Sequence, residues 1–465
     1  MPHVVIVGGG LSGLSVAYRL TRAAADISVT VIDPQSRVGG NIVTEDHGGF
    51  RVECGPNGFL DSKPFLTRLC VDLGLTERAV PASDGSRKNR YLFVGGKLRR
   101  LPRGPFSLLT SPLLSMKSKW KLLTEPWRKP PAHTDPDETV SQFVERRTSK
   151  EVADVLADAM VTGIHGGDAT LLSVAGAFPR LPQMERDAGS IIRGFGRAAK
   201  ARRELARANG ETPGPVRMWS FRDGLQEIVG AFEHHLGKSI ITGARVVSIE
   251  QSASVTPWTV RGERRTWGAD AVVLACPAYE QAGILSDIDP ALASEVSGIP
   301  YNRIAVVALG YRQLDCPGSQ DGFGYIAPQN TRRDVLGVQW CSSIFPDRAP
   351  PGSVLWRALC GGVHRGEMVD WDDDRLAKAV HEEIKLAMGV TAAPYFRRVV
   401  RWHAAIPQYV VGHTQRVARI DALTAKHAGL FLGGNAYRGV AMSDCAEQGE
   451  LLAERVAAYV AGGAA

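Results

Sequence analysis

The residues near the start of the chain whose types and spacing suggest chemistry are four glycines and a carboxylate. Gly8, Gly9 and Gly10 are followed by Leu11, Ser12 and Gly13, and Asp33 stands twenty positions after Gly13. This spacing suits the holding of phosphates rather than the making of bonds. Gly8 permits a tight turn, Gly10 lets main chain approach a pyrophosphate, and Gly13 lets a helix pack closely on a strand. A carboxylate at Asp33 can accept hydrogen bonds from ribose hydroxyls. The expected ligand is a dinucleotide.

The flanking elements are the ones such a site needs. Val4-Val5-Ile6-Val7 reads as a buried parallel strand, 14–22 as a helix, and 28–32 as a second strand ending at Asp33. A helix amino terminus so placed turns unpaired N–H groups and its positive dipole end towards the phosphates. Arg37-Val38-Gly39-Gly40-Asn41, with Gly55-Pro56-Asn57-Gly58 after it, resembles the extension by which many flavoproteins carry the fingerprint past the ribose towards the phosphates, and this resemblance favours FAD over NAD. Here a glycine pair allows close main-chain approach, and Arg37 offers a charged donor fork.

A second glycine cluster lies near the other end. Leu430-Phe431-Leu432 reads as a strand and Gly433-Gly434-Asn435-Ala436-Tyr437-Arg438-Gly439-Val440 as a loop, with a helix running over 441–460. Its start, with Gly434, Asn435, Val440, Ala441 and Met442, is expected at the pyrimidine edge of the flavin, where reduction builds negative charge. The stretches 243–249 and 269–275 read as strands separated by a polar hairpin. An FAD-binding domain assembled from separated stretches of chain follows.

Composition bounds the rest. The 465 residues exceed one usual domain, so two or three units are expected. A net charge of +7 with no nucleic-acid motif argues against nucleic acid as partner. The seven cysteines are scattered, odd in number and without a CxxC, which points away from disulfides and zinc and towards a reducing compartment. No metal site is expected. The first apolar run starts by Val4, which leaves no room for a cleavable targeting segment, and no apolar run approaches the ~20 residues of a spanning helix.

Several runs carry a narrower resemblance. They are Asn89-Arg90-Tyr91-Leu92-Phe93-Val94-Gly95-Gly96, Gly163-Ile164-His165-Gly166-Gly167-Asp168, Asp321-Gly322-Phe323-Gly324-Tyr325-Ile326-Ala327-Pro328, Ile406-Pro407-Gln408-Tyr409 and Asn435-Ala436-Tyr437-Arg438-Gly439-Val440. Together with the glycine loops, the chain resembles the flavin amine-oxidase superfamily and, within it, the porphyrinogen oxidases of haem synthesis. Asp33 departs from the glutamate of many relatives, but either acid can hold a ribose.

The resemblance implies an α/β chain, α+β overall. A Rossmann-like FAD-binding domain would comprise 1–88, 216–283 and 396–465. A mixed-sheet substrate domain would take 89–104 and 284–395, and a mainly helical lobe 105–215. It implies non-covalent FAD, with Val246 and Trp402 added to the cofactor-binding residues above. It implies oxidation of protoporphyrinogen IX to protoporphyrin IX, six electrons leaving in three flavin cycles. Oxygen would be the acceptor and hydrogen peroxide the by-product; coproporphyrinogen III is the alternative substrate.

Because the hard chemistry belongs to the cofactor, no catalytic side chain is expected. Arg90 is the expected anchor for a propionate, a guanidinium being able to grip a carboxylate in two parallel hydrogen bonds. Phe323, Gly324 and Ile326 are expected along one strand against the macrocycle, with Leu359 packing on its opposite side. Within 105–129, Phe106, Met116, Trp120 and Trp127 alternate with lysines and suggest an interfacial helix pair on the cytoplasmic face of a membrane. Hand-off to a chelatase and a homodimer complete the implied partners. Two rivals are weaker. An amine oxidase commonly carries a lysine near the flavin, yet none lies between Lys238 and Lys378. A flavin-bearing tetrapyrrole carrier would have no need to keep Arg90 and the 323–326 run.

Overall fold

Val4, Val5 and Ile6 are wholly buried, and an uninterrupted β-branched run of this kind needs apolar cover on both faces. The computed structural model describes residues 1–462 apart from 24–25, 130–136, 209–213, 253–255 and 319. It places His3–Val7 at the centre of a five-stranded parallel sheet, ordered Ile240–Ile241, Ser28–Ile32, His3–Val7, Ala271–Leu274, Leu430–Leu432. Helices Leu11–Ala23, Gln226–Leu236 and Met442–Val460 cover one face. The other is covered by helices Ala278–Leu285 and Pro290–Ser297 and by an antiparallel sheet of Val246–Gln251, Trp258–Gly262 and Thr266–Ala269. Each fully buried Val or Ile here contributes about 1.5–3 kcal/mol relative to exposure.

The first and last long helices meet directly. A Cβ on Gly449 would lie 2.7 Å from Ser15 Cβ, so the small residues let the two backbones approach. The glycine loops at the two ends of the sequence therefore open on the same edge of the parallel sheet, after His3–Val7 and Leu430–Leu432, with Ala271–Leu274 between these strands. The carboxyl ends of the strands in an open α/β sheet are where ligands bind.

A second sheet has seven strands, ordered Phe396–Trp402, Arg303–Arg312, Ser353–Gly362, Gly337–Gln339, Gly324–Ile326, Arg90–Val94, Lys97–Arg100. All neighbours are antiparallel except Gly324–Ile326 and Arg90–Val94. Helix Asp373–Met388 covers one face through Leu376, Ala377, Val380 and Ile384. The opposite face meets the 50–54 segment through Phe50, Val52, Cys54, Ala308 and Leu355, and the helical lobe through Leu92 and Ile326. That lobe is pinned by a buried ionic cluster in which Arg147 pairs with Glu125 and lies 3.2 Å from Glu185.

Three expectations are corrected. Phe396–Trp402, counted above with the FAD-binding segments, edges the seven-stranded sheet by pairing with Arg303–Arg312. Its sequence marks it as a strand, but which sheet it joins is decided by pairing with residues a hundred positions away. The strand expected over 243–249 spans Val246–Gln251 and joins the antiparallel sheet rather than lying beside Ala271–Leu274. The polar hairpin expected between those strands is itself built of two strands, Trp258–Gly262 and Thr266–Ala269. Within the expected helical lobe, 130–136 and 209–213 lie outside the described residues. No helix among the described residues is long and apolar enough to cross a membrane.

Candidate active site

At the amino-terminal loop, three of the four glycines are sterically required by protein atoms. A Cβ would lie 2.6 Å from Cys276 N at Gly8 (φ +108°), 2.5 Å from Val38 Cγ1 at Gly9, and 2.0 Å from Gly8 O at Gly13. Gly10 is different: a Cβ there would meet no atom within 4 Å. Its space is left for something outside the chain, at the amino terminus of helix Leu11–Ala23, as a pyrophosphate requires. Leu11 and Ser12 open that helix and are buried.

Asp33 closes the next strand with 7% exposure. Its Oδ2 accepts from Gly9 N at 2.8 Å and its Oδ1 from Gln35 N at 2.9 Å. Each oxygen keeps a further lone pair for a ribose hydroxyl. Desolvation pushes its pKa up, and the two N–H donors oppose that shift. Val246 is buried near this end, on the segment in which Ala244 N donates to Asp33 O at 3.1 Å.

The second glycine pair docks on the first. Gly39 N donates to Gly9 O at 2.7 Å, and a Cβ on Gly40 would meet Gly10 Cα at 3.3 Å. Arg37 bonds the carbonyls of Val38 at 3.0 Å and Gly40 at 2.7 Å, so part of its fork shapes this loop rather than waiting for a ligand. Asn41 is exposed at the loop's end, and Gly55 packs on it so tightly that a Cβ would lie 1.8 Å from Asn41 O. Pro56 and Gly58 are half-buried. Asn57 is buried, and its Nδ2 has no partner among the described residues. Trp402 donates to Cys54 O at 2.8 Å and ties this loop to the seven-stranded sheet.

At the other end of the chain, Gly434 (φ +108°) lies beside the turn that leaves Ala271–Leu274, 3.5 Å from Ala275 O measured from an added Cβ. Asn435 and Val440 are half-buried, Ala441 is the exposed N-cap, and Met442 is the buried first residue of helix Met442–Val460. The residues expected at the cofactor thus come together along one edge, from Asp33 through Gly10 and Asn41 to the 434–442 loop. An open Gly10, an Asp33 with spare lone pairs and an orphaned Asn57 donor fit an FAD molecule.

The substrate-side residues lie on one face of the seven-stranded sheet. Paired residues share a face, so the register gives one row of Arg90, Gly324, Gln339 and Arg357, and a second of Leu92, Ile326, Gly337 and Leu359. Gly324 and Gly337 place no side chain in the middle of these rows, and added Cβ atoms there would strike Val338 O at 1.9 Å and Tyr325 O at 2.6 Å. Phe323, Ile326 and Leu359 are half-buried, and Gly324 and Gly337 are the two positions of these rows without a side chain.

Leu359 shares a sheet face with Ile326, two strands away. Phe323 lies just outside strand Gly324–Ile326. Strict alternation would set it apart from Ile326, but the positive φ of Gly324 (+119°) turns the chain there. The Phe323 ring then sits 4.7 Å from the Arg90 guanidinium.

Arg90 has no ion-pair or side-chain hydrogen-bond partner among the described residues, and it is accessible. It is nonetheless enclosed enough for desolvation to lower its pKa. The sequence reading missed Arg357, a buried arginine in the apolar run Val354-Leu355-Trp356-Arg357-Ala358-Leu359. Its signal was parity: it falls on the same face as Leu355 and Leu359.

The chain is 34% identical to a chloroplastic protoporphyrinogen oxidase 1 of Spinacia oleracea, over 95% of this chain and 82% of that one. It is 32% identical to the protoporphyrinogen oxidase of Homo sapiens (97% and 98%) and 28% identical to the coproporphyrinogen III oxidase of Bacillus subtilis (98% of each). In fold it is similar to a crystal structure from Exiguobacterium sp. 255-15, provisionally assigned as a protoporphyrinogen oxidase, with a TM-score of 0.81 at 23% identity over 98% of each chain. A putrescine oxidase variant shares the fold at a TM-score of 0.70 and 17% identity, over 98% and 99% of the two chains. The family model described as flavin containing amine oxidoreductase matches residues 11–457, and the chain belongs to that family of flavin-dependent oxidoreductases.

Proposed function

We propose that this enzyme oxidises protoporphyrinogen IX to protoporphyrin IX, with oxygen as acceptor and hydrogen peroxide as by-product. The observation that carries this reading is Arg90, without an ion pair among the described residues, beside the Phe323 ring on the sheet face that also carries Ile326 and Leu359. When bound, FAD supplies the redox chemistry itself. The chain's part is binding and orientation. Arg90 takes a propionate in two parallel hydrogen bonds, while the Phe323 ring supports the guanidinium from one side. Half-buried Ile326 and Leu359 offer apolar surface to a flat macrocycle. Gly10, Asp33, Asn57 and the 434–442 loop hold the cofactor. We place the division between FAD-binding and substrate-binding segments as expected above, with Phe396–Trp402 moved to the substrate side.

Coproporphyrinogen III is the second reading, favoured by the Bacillus subtilis relative that matches end to end, over 98% of each chain. Anaerobic addition of each porphyrinogen to the yellow holoenzyme tests the reaction: bleaching of the flavin is expected, whereas a carrier would stay yellow. Parallel kcat/KM values on the two compounds then decide the substrate.

Phe106, Met116, Trp120 and Trp127 are 65–81% exposed on the helical lobe, among Lys117, Lys121 and Lys129. We read this surface as a peripheral contact with the cytoplasmic face of a membrane. Hand-off to a chelatase and self-association are proposed on the resemblance alone.

A further inference from the structure

Arg357 is 3% exposed, in a strand that is otherwise apolar from Val354 to Cys360. Its Nη1 donates to Gln339 Oε1 at 3.0 Å, its Nη2 donates to the Gly55 carbonyl, and its Nε is buried without a partner. It forms no ion pair among the described residues. Glu53, a buried acid whose field reaches it, is engaged elsewhere: it lies 3.9 Å from Arg348 and accepts from Leu225 N at 2.9 Å and Thr44 Oγ1 at 2.8 Å. A guanidinium buried without a counter-charge is costly, and it persists where something else supplies the balance.

A second orphan donor lies on the same loop. Asn57 is 5% exposed, with Nδ2 unpartnered and Oδ1 3.8 Å from Cys341 Sγ. The loop that carries Gly55 and Asn57 is held by Trp402 on one side and packs on Asn41, the end of the glycine loop docked at Gly9 and Gly10. Two buried donors without acceptors among the described residues, and a guanidinium without an ion pair, thus lie on or against the 55–57 loop that packs on Asn41. What fits them is a group rich in acceptor atoms that gains negative charge during the reaction.

We propose that Arg357 is a positioning residue for the flavin: fixed by Gln339 and the Gly55 carbonyl, its charge favours the reduced, more negative form of the ring. This rests on the flavin reading above and extends it to the electron affinity of the cofactor. The competing role is a second anchor for a substrate carboxylate, since Arg357 shares a sheet row with Arg90.

The test compares wild-type holoenzyme with R357Q, R357K and R357M in FAD content, flavin midpoint potential and KM for protoporphyrinogen IX. R357Q and R357M are expected to hold FAD and to lose about tenfold in the two-electron reduction equilibrium, a fall of about 30 mV, with R357K close to wild type. R357M keeps a long side chain without a buried amide, so either neutral variant suffices if the other fails to fold. An unchanged potential with a raised KM would make Arg357 a carboxylate anchor, and an unchanged potential with unchanged KM would make it structural. Both results overturn the proposal. A wild-type protein that takes up no flavin would instead sink the reading beneath it, because no potential could then be measured.

Discussion

Arg90 and Phe323 work as a pair: the ring lies 4.7 Å from the guanidinium and leaves its donors free. Replacing Arg90 by Ala should raise KM for porphyrinogen ten- to a hundredfold, about 1.5–3 kcal/mol for charged hydrogen bonds, with FAD content unchanged. Loss of flavin from that variant would place the residue elsewhere. Asp158 and His165 are two buried groups with opposite linkage. Desolvation pushes the Asp158 carboxyl up to about 6 and the His165 imidazole down to about 4. Asp158 therefore costs stability above pH 6, where both folded and unfolded states are ionised, and the cost vanishes towards pH 4, where both are protonated. His165 does the reverse: its contribution is full above about pH 6.5 and is lost as pH falls towards 4. Asp158→Asn should gain roughly 2–3 kcal/mol at pH 8 and show a steeper acid loss between pH 6.5 and 4. Thermal melts across that range check it, and an equal gain at pH 4 and pH 8 would refute it.

The elements that carry the cofactor can be separated by substitution at neighbouring glycines. Gly10→Val should fold, because its Cβ meets only open space, yet leave the protein colourless by filling the place of the pyrophosphate. Gly13→Ala should damage the fold itself, since its Cβ would lie 2.0 Å from Gly8 O. Far-ultraviolet circular dichroism with flavin absorbance distinguishes the two outcomes; a yellow Gly10→Val protein would contradict the assignment. On the helical lobe, a Phe106→Asp, Trp120→Asp pair changes side chains that are 81% and 69% exposed. It should abolish sedimentation with anionic vesicles while flavin absorbance and porphyrinogen turnover in detergent stay as in wild type. Vesicle binding that survives would locate the membrane contact elsewhere.

At the scale of the whole molecule, the proposed flavin site draws on both ends of the chain, so cofactor and fold are expected to be linked. Removing FAD should lower Tm, and returning it at a hundredfold excess over its Kd should restore about 2.7 kcal/mol. A Tm indifferent to flavin would mean that the 8–13 and 433–442 loops do not share one ligand. By itself the sequence determined the parallel strand His3–Val7, the glycine loops, Asp33 and the terminal helix, because turns, β-branched runs and helical periods are local properties of neighbouring residues. It also carried the positions of Arg90 and Phe323. Only the tertiary structure decided that Phe396–Trp402 belongs to the second sheet, that Leu359 shares a face with Ile326, and that Arg357 is buried without an ion pair among the described residues. Those facts depend on strand register and on contacts between residues hundreds of positions apart, and no local pattern encodes which strand another will pair with.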